Sequence, residues 1–433
     1  MIINLNALVG SDKSATFKLA VFYLAVLHFI QLLNIRVDFF FLRPFPVVEV
    51  LTVVLLYHLI KKRVFDFFYT ADKSYLFQAV TIFAIYNLIT LFNYFQFNNA
   101  YSLLNYIYGI HYCVLPILLF YLVQLIPAEE VIPFFKIILF LNLIMCVTGI
   151  LLFLLRPDFY TDYLSKILSQ VNISEPWQLY GRLQSYLGST SVGNIGCVSF
   201  FLTIFIIRKW YFRYLYLFIF ALTVLFTQQR GPIVFLLFSA VTLTFYYLIS
   251  ATPLKKIKFI SAAFIVVIFL TIIFNDVFNE NYFNFNEILS YTFDRVTTES
   301  QVGQVLGERE IGYIKAWDIV QQFPLGVGLG ATLSASEQAS NSGLGQVVDA
   351  NFARILADTG FIGLGFFFII LVTAFLKSLT AKCLLFFSFI ILFYSFQALG
   401  TNVFDSFMCI HLFWIYLGIL NKKESKIIWK QLF

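Results

Sequence analysis

Charge is what this sequence has least of. Only 12% of its 433 residues are charged, 29 basic and 23 acidic, against 60% apolar. A soluble domain carries about 25% charge, so a water-facing surface of ordinary composition is excluded. The same apolar excess excludes a disordered chain. Cysteine is scarce as well. Cys113, Cys146, Cys197, Cys383 and Cys409 stand singly inside apolar stretches with no CxxC spacing. Neither a disulfide framework nor a metal site is expected from them, and they read as small core residues. Histidine is limited to His28, His58, His111 and His411, each within an apolar stretch. No Gly/Ser or Pro linker marks a second domain, and no repeat of solenoid length stands out.

What the sequence does have is long apolar runs. A transmembrane helix needs about 20 such residues, and windows of ~19 residues find twelve spans. Their limits lie at about 15–34, 46–60, 75–95, 105–125, 133–155, 189–207, 211–227, 232–250, 259–274, 355–376, 383–400 and 405–420. The expected fold is therefore an all-α polytopic membrane protein of about 12 transmembrane helices. Residues 1–433 form a single integral membrane domain in this reading. The apolar run that follows the polar first residues is too long for a cleaved signal peptide, so the first helix reads as a retained anchor.

The few charges are sorted by side. Lysines such as Lys13, Lys61, Lys73, Lys255, Lys377 and Lys422 dominate one set of loops, and the positive-inside rule makes that set cytoplasmic, with both termini inside. The opposite set holds Arg36, Arg43, Arg156, Arg182, Arg230, Arg295, Arg309 and Arg354, with only Lys166 and Lys315 beside them. A guanidinium is a planar fork that suits phosphate and carboxylate and keeps its charge when partly desolvated. The outer face is thus expected to meet an anionic, phosphate-bearing ligand. Nothing in this arrangement points to nucleic acid.

Two outer connections are long enough to hold chemistry: residues 156–188, and residues 275–354 between the ninth and tenth spans. The second reads as a small, partly helical extracytoplasmic cap. In the first, GRLQSYLGSTSVGN carries Arg182 and then a run of small residues through Gly193 that opens a membrane helix. Helix N-termini bind anions through free N–H groups, while small residues also serve close helix packing. The eleven-residue step from Arg182 to Gly193 recurs from Arg354 to Gly365, where it reads as accident. TQQRGP at 227–232 sets Arg230 at a membrane boundary, a costly and hence informative place for a charge. In the long connection, ERE at 308–310 opens the amphipathic stretch EIGYIKAWDIVQQF, with Ile311, Ile314 and Trp317 on one face. PLGVGLG at 324–330 follows, then VDANFARILADTGFIG at 348–363. No GKS or GKT follows the glycines, so no P-loop is formed.

In this order, Arg182 before a small-residue helix start, TQQRG, a large outer segment reading R…W…P.GVGLG, and N….LADTGFIG opening a helix, the chain resembles the O-antigen polymerase and O-antigen ligase superfamily (the Wzy-type polymerases). The resemblance covers about residues 180–370. It implies glycosyl transfer without a metal or other cofactor on the outer face of a bacterial plasma membrane. The implied donor is an oligosaccharide on undecaprenyl pyrophosphate; a chain-length regulator and a flippase are the implied protein partners. By the same resemblance Arg182, Arg230 and Arg309 engage the pyrophosphate, with Gly193 at the adjoining helix start. Among carboxylates, Asp349, Glu308 and Glu310 are those able to orient or deprotonate an acceptor hydroxyl, Asp349 first. Tyr180, Tyr186, Tyr313 and Trp317 suit either sugar stacking or an interfacial aromatic belt. The ligase branch has a histidine before the asparagine of the last motif; here that place is Ala350. The departure favours a polymerase.

Overall fold

The computed structural model describes residues 13–36, 45–62, 74–90, 92, 106, 109–171, 183–185, 189–229, 231–237, 299–332, 350–379, 385–401, 403–404 and 407–422. Among them every regular element is a helix. Lipid offers no partner for backbone N–H and C=O groups, so spanning segments this apolar must pair their backbone internally. In chain order the α-helices are α1 (Ala15–Arg36), α2 (Phe45–Lys61), α3 (Tyr75–Ile89), α4 (Ile117–Gln124), α5 (Val131–Leu155) and α6 (Asp158–Val171). They continue with α7 (Ser189–Ile206), α8 (Trp210–Thr227), α9 (Glu299–Gln322), α10 (Asn351–Leu379), α11 (Leu385–Gly400) and α12 (Phe407–Asn421). Ala128–Leu155, Trp210–Thr227 and Asn351–Leu379 are each long and apolar enough to cross a bilayer. Helix starts again at 231–237, while the expected span at 259–274 lies outside the described residues.

The core lies around α12, which is buried on every face from Met408 to Asn421. A helix apolar all round belongs in the middle of a bundle. It packs on α4, and α7, α10 and α11 close round it. The outward faces carry the apolar residues that meet lipid: Val50, Val53 and Tyr57 on α2, and Phe368, Ile369 and Val372 on α10.

One end of the bundle is closed by a polar knot. Asn421 Nδ2 donates to Gln124 Oε1 at 2.8 Å, and its Oδ1 accepts from Lys377 Nζ at 2.7 Å and from the Ser74 hydroxyl. Lys422 Nζ donates to the carbonyls of Gln124 and Ile126, and the Ser14 amide donates to Glu130 at 2.8 Å. Lys377 and Lys422, both from the lysine-rich loop set, therefore share one end of the molecule.

Three local features depart from the sequence reading. The connection 156–188 contains a helix, α6, which turns Tyr160 and Leu164 inward and packs against α1. The helix expected to open at 308–310 begins at Glu299. And α10 starts at Asn351 but is broken at Gly360, whose φ of 67° and ψ of −169° are not helical. On α9 the buried side is Gly312, Ala316, Ile319 and Val320, small or slim enough to approach α10. Ile311, Ile314 and Trp317, the bulkier apolar row, are about half exposed. Trp317 lies edge-on to Phe361, 5.8 Å between centroids, which joins that row to the lipid-facing side of α10.

Candidate functional site

The other end of the bundle gathers the motifs. Leu183 N–H donates to Phe226 O at 2.9 Å, and Ser185 Oγ donates to Met145 O at 3.1 Å, so residues 183–185 are buried against α5 and the end of α8. Gly193, in the first turns of α7, is buried where a Cβ would stand 2.8 Å from Thr227 Oγ1. Close helix contact is therefore what that glycine provides directly. On the far side of TQQRGP, Gly231 lies against the Gln397 side chain near the end of α11. Beyond α11, Phe404 N–H donates to Asn351 Oδ1 at 2.8 Å, the first residue of α10. A run of contacts thus leads from residue 183 to the start of α10.

Here the PLGVGLG loop docks. Val327 N–H donates to Ala357 O at 3.0 Å and Gly328 N–H to Asp358 O at 2.9 Å. Gly330 N–H reaches Asp358 Oδ2 at 3.1 Å, and Thr332 gives Asp358 Oδ1 both its N–H at 3.0 Å and its hydroxyl at 2.7 Å. Gly326, Gly328 and Gly330 have φ of 80°, 117° and 84°, a backbone that side chains rarely adopt. Gly360 supplies the complementary break: an α-helix continued past Thr359 would leave no place for the loop, and Phe361 N–H turns to Pro324 O at 3.4 Å. Tyr86 Oη donates to Thr359 O at 2.9 Å from α3 on the other flank.

Arg354, one turn before Asp358, is 2% exposed, as Asp358 is, and acts electrostatically on its carboxylate. Both line a cavity of about 30 Å³ with Asn87, Cys113 and Trp414. That volume has room for a water or two. Cys113 lies in a π-helical turn (Ile110–Val114), a widening that recurs at functional sites.

The residues picked out by sequence are unevenly covered. Arg182, Arg230 and Asp349 lie outside the described residues, although Leu183, Gln229 and Ala350 beside them are within. At Glu308 and Arg309 only the backbone is described, inside α9. Glu310 is exposed, and Tyr313 bonds Leu399 O at 3.0 Å, linking α9 to α11. Tyr180 and Tyr186 lie outside the described residues. All four histidines are in helical segments; His411 Nε2 is 3.2 Å from Tyr23 Oη and His28 Nδ1 2.9 Å from Leu24 O. The residue that sequence reasoning passed over is Asp358. Its signal was present: an acid four positions after an arginine, in an otherwise apolar helix start, is a buried pair in the making.

Helices of this composition, packed around an apolar core, define a multi-pass α-helical membrane protein. Residues 215–368 match the family model described as O-antigen ligase, which is consistent with the resemblance to the O-antigen ligase and polymerase superfamily. The matched stretch runs from α8 through TQQRGP, α9 and the docked loop to the first turns beyond Gly360; Arg182 and Gly193 precede it. No curated protein matches the chain.

Proposed function

We propose that this protein is a polysaccharide polymerase, a metal-independent membrane glycosyltransferase. It moves a growing glycan from undecaprenyl pyrophosphate onto a lipid-linked repeat unit at the outer face of the bacterial plasma membrane, in O-antigen or capsule synthesis. In that reading twelve spans hold both termini inside, and the outer segments 156–188 and 275–354 cap the site. A flippase supplies the substrate and a chain-length regulator acts on the product.

The chemistry asked of the chain is modest. The bond from the anomeric carbon to pyrophosphate breaks, the acceptor hydroxyl oxygen forms the new glycosidic bond, and its proton passes to a carboxylate. Pyrophosphate departs as an anion, so charge stabilisation and positioning are the main tasks. Arg182, Arg230 and Arg309 are assigned the pyrophosphate. Asp349 is assigned the hydroxyl, with Glu308 as its neighbour in role, and Gly193 lets the α7 start approach.

The observation that carries this reading is the convergence of the motif flanks, Leu183, Gln229 and Asn351, on one end of the bundle, within and beside a matched family domain. The family description itself favours a second reading, an O-antigen ligase. Ala350, fully buried in the place of the ligase histidine, argues for polymerase. Purified protein supplied with lipid-linked repeat units alone separates the two. A ladder of longer lipid-linked glycans is the expected result. Transfer only when a lipid A core acceptor is added would establish the ligase instead.

A further inference from the structure

Loops with alternating left-handed glycines turn successive N–H groups to one side and make a concavity that binds anions. The 326–332 loop has this form, yet the donors of Val327, Gly328, Gly330 and Thr332 are already taken. Gly330 and Thr332 bond the Asp358 carboxylate, and Val327 and Gly328 bond the carbonyls of Ala357 and Asp358. A phosphate-bearing substrate would have to displace five hydrogen bonds to enter. The anion held here is the chain's own.

Asp358 is equally ill placed to act as a base. It is 2% exposed, and both carboxylate oxygens accept hydrogen bonds from the loop. What it controls is the loop, and through the loop α9. Phe323 N–H still bonds Ile319 O at 2.8 Å, and Gly326 N–H bonds Phe323 O at 2.8 Å, so only Pro324 and Leu325 separate the end of α9 from the anchored segment. There is no slack between them. A shift of the loop must move the helix whose backbone carries Glu308 and Arg309.

We propose that Asp358 is a positioning residue for glycan transfer: its carboxylate stands in for an anionic ligand in the 326–332 loop and thereby sets the place of α9 at the site. This rests on the glycosyltransferase reading above. The step from Asp358 to chemistry is indirect, so its loss should lower turnover more than donor affinity.

The test uses the full chain in lipid nanodiscs with a lipid-linked repeat unit, measuring kcat and KM together with hydrogen exchange of amides 326–332. Asp358→Asn keeps the shape but turns an NH2 group toward a donor; Thr332→Val removes one hydroxyl and leaves both amides. Asp358→Asn is expected to lower kcat at least about tenfold with KM within about twofold, as misplacement does. Exchange of 326–332 should quicken in both variants. Folded Asp358→Asn with wild-type kcat, or lost activity with the loop still protected, overturns the proposal, the latter by indicating direct catalysis. If Asp358→Asn does not fold, Thr332→Val decides, and unchanged exchange there overturns it. A wild-type chain inactive on the lipid-linked unit sinks the transferase reading itself, whereas an active wild type with an indifferent Asp358→Asn sinks this proposal alone.

Discussion

Leu183 and Phe226 are joined by a single backbone hydrogen bond of 2.9 Å across more than forty residues of chain. Each is a near neighbour of an arginine singled out by sequence, Arg182 by one position and Arg230 by four. The bond ties the end of the 156–188 connection to the end of α8, on the side where Gly193 meets Thr227 and Gln229.

Arg182→Ala and Arg230→Ala are therefore expected to abolish long-chain polymer while leaving the protein in the membrane at normal abundance. Removing one stabiliser of developing charge typically costs about 10²–10³ in rate. Polymer length on a gel, set against protein level, is the measurement. Normal long chains in either mutant would sink the assignment of that arginine.

Gly360 and Gly365 form a matched pair for testing the helix break. Gly360 has φ 67° and ψ −169°, a region open in practice only to glycine, and a Cβ there would run into the Pro324 carbonyl. Gly360→Ala should cost about 1–3 kcal/mol from backbone strain alone and free the docked loop. Around Gly365 nothing lies within 4 Å of a Cβ, so Gly365→Ala should be neutral or stabilise by up to ~1 kcal/mol. Thermal unfolding in detergent distinguishes them; equal effects would contradict the break as described.

Arg354→Met keeps an unbranched apolar stem but removes the guanidinium, and with it the positive charge that acts on the buried Asp358 carboxylate. Removing one of two interacting buried charges costs up to about 3–5 kcal/mol. The loop donors to Asp358 should hold the loss near the lower figure. A melting temperature within error of wild type would show that Arg354 contributes no such stabilisation.

Ala350, which the resemblance sets in the place of the ligase histidine, is fully buried among Ala316, Val327 and Ala353. Ala350→His is expected to overpack this cluster, destabilising by about 1–3 kcal/mol, and not to create transfer to a lipid A core. Ligase activity gained by this one change would mean that the missing histidine alone separates the two activities.

The knot around Asn421 offers a test of enzyme against carrier. A transporter works by opening each end in turn, and this end is held by Ser74, Gln124, Lys377 and Lys422. Ser74→Cys with Asn421→Cys, joined by a bifunctional thiol cross-linker, should leave polymerisation unchanged per folded molecule. Loss of product on cross-linking, restored on cleavage of the linker, would favour a flippase.

Composition and periodicity by themselves determined that this is a membrane bundle and where most helices run, because apolar length reports directly on the cost of exposing backbone to lipid. The lysine bias likewise foretold that Lys377 and Lys422 would share an end. The order of motifs from Arg182 to the ADTG sequence pointed to the family. What only the tertiary structure decided is how those motifs meet. In the sequence the GVGLG run and Asp358 are thirty residues apart, and nothing local says that one wraps the other. Arg354 counted only among the outer arginines, and Asp358 and Gly360 entered only as letters of the ADTGFIG motif. Their roles depend on a helix break and on donors arriving from a distant loop. Hydrogen bonds of that kind are formed by position in space, and position is what a charge count or a hydropathy window does not contain.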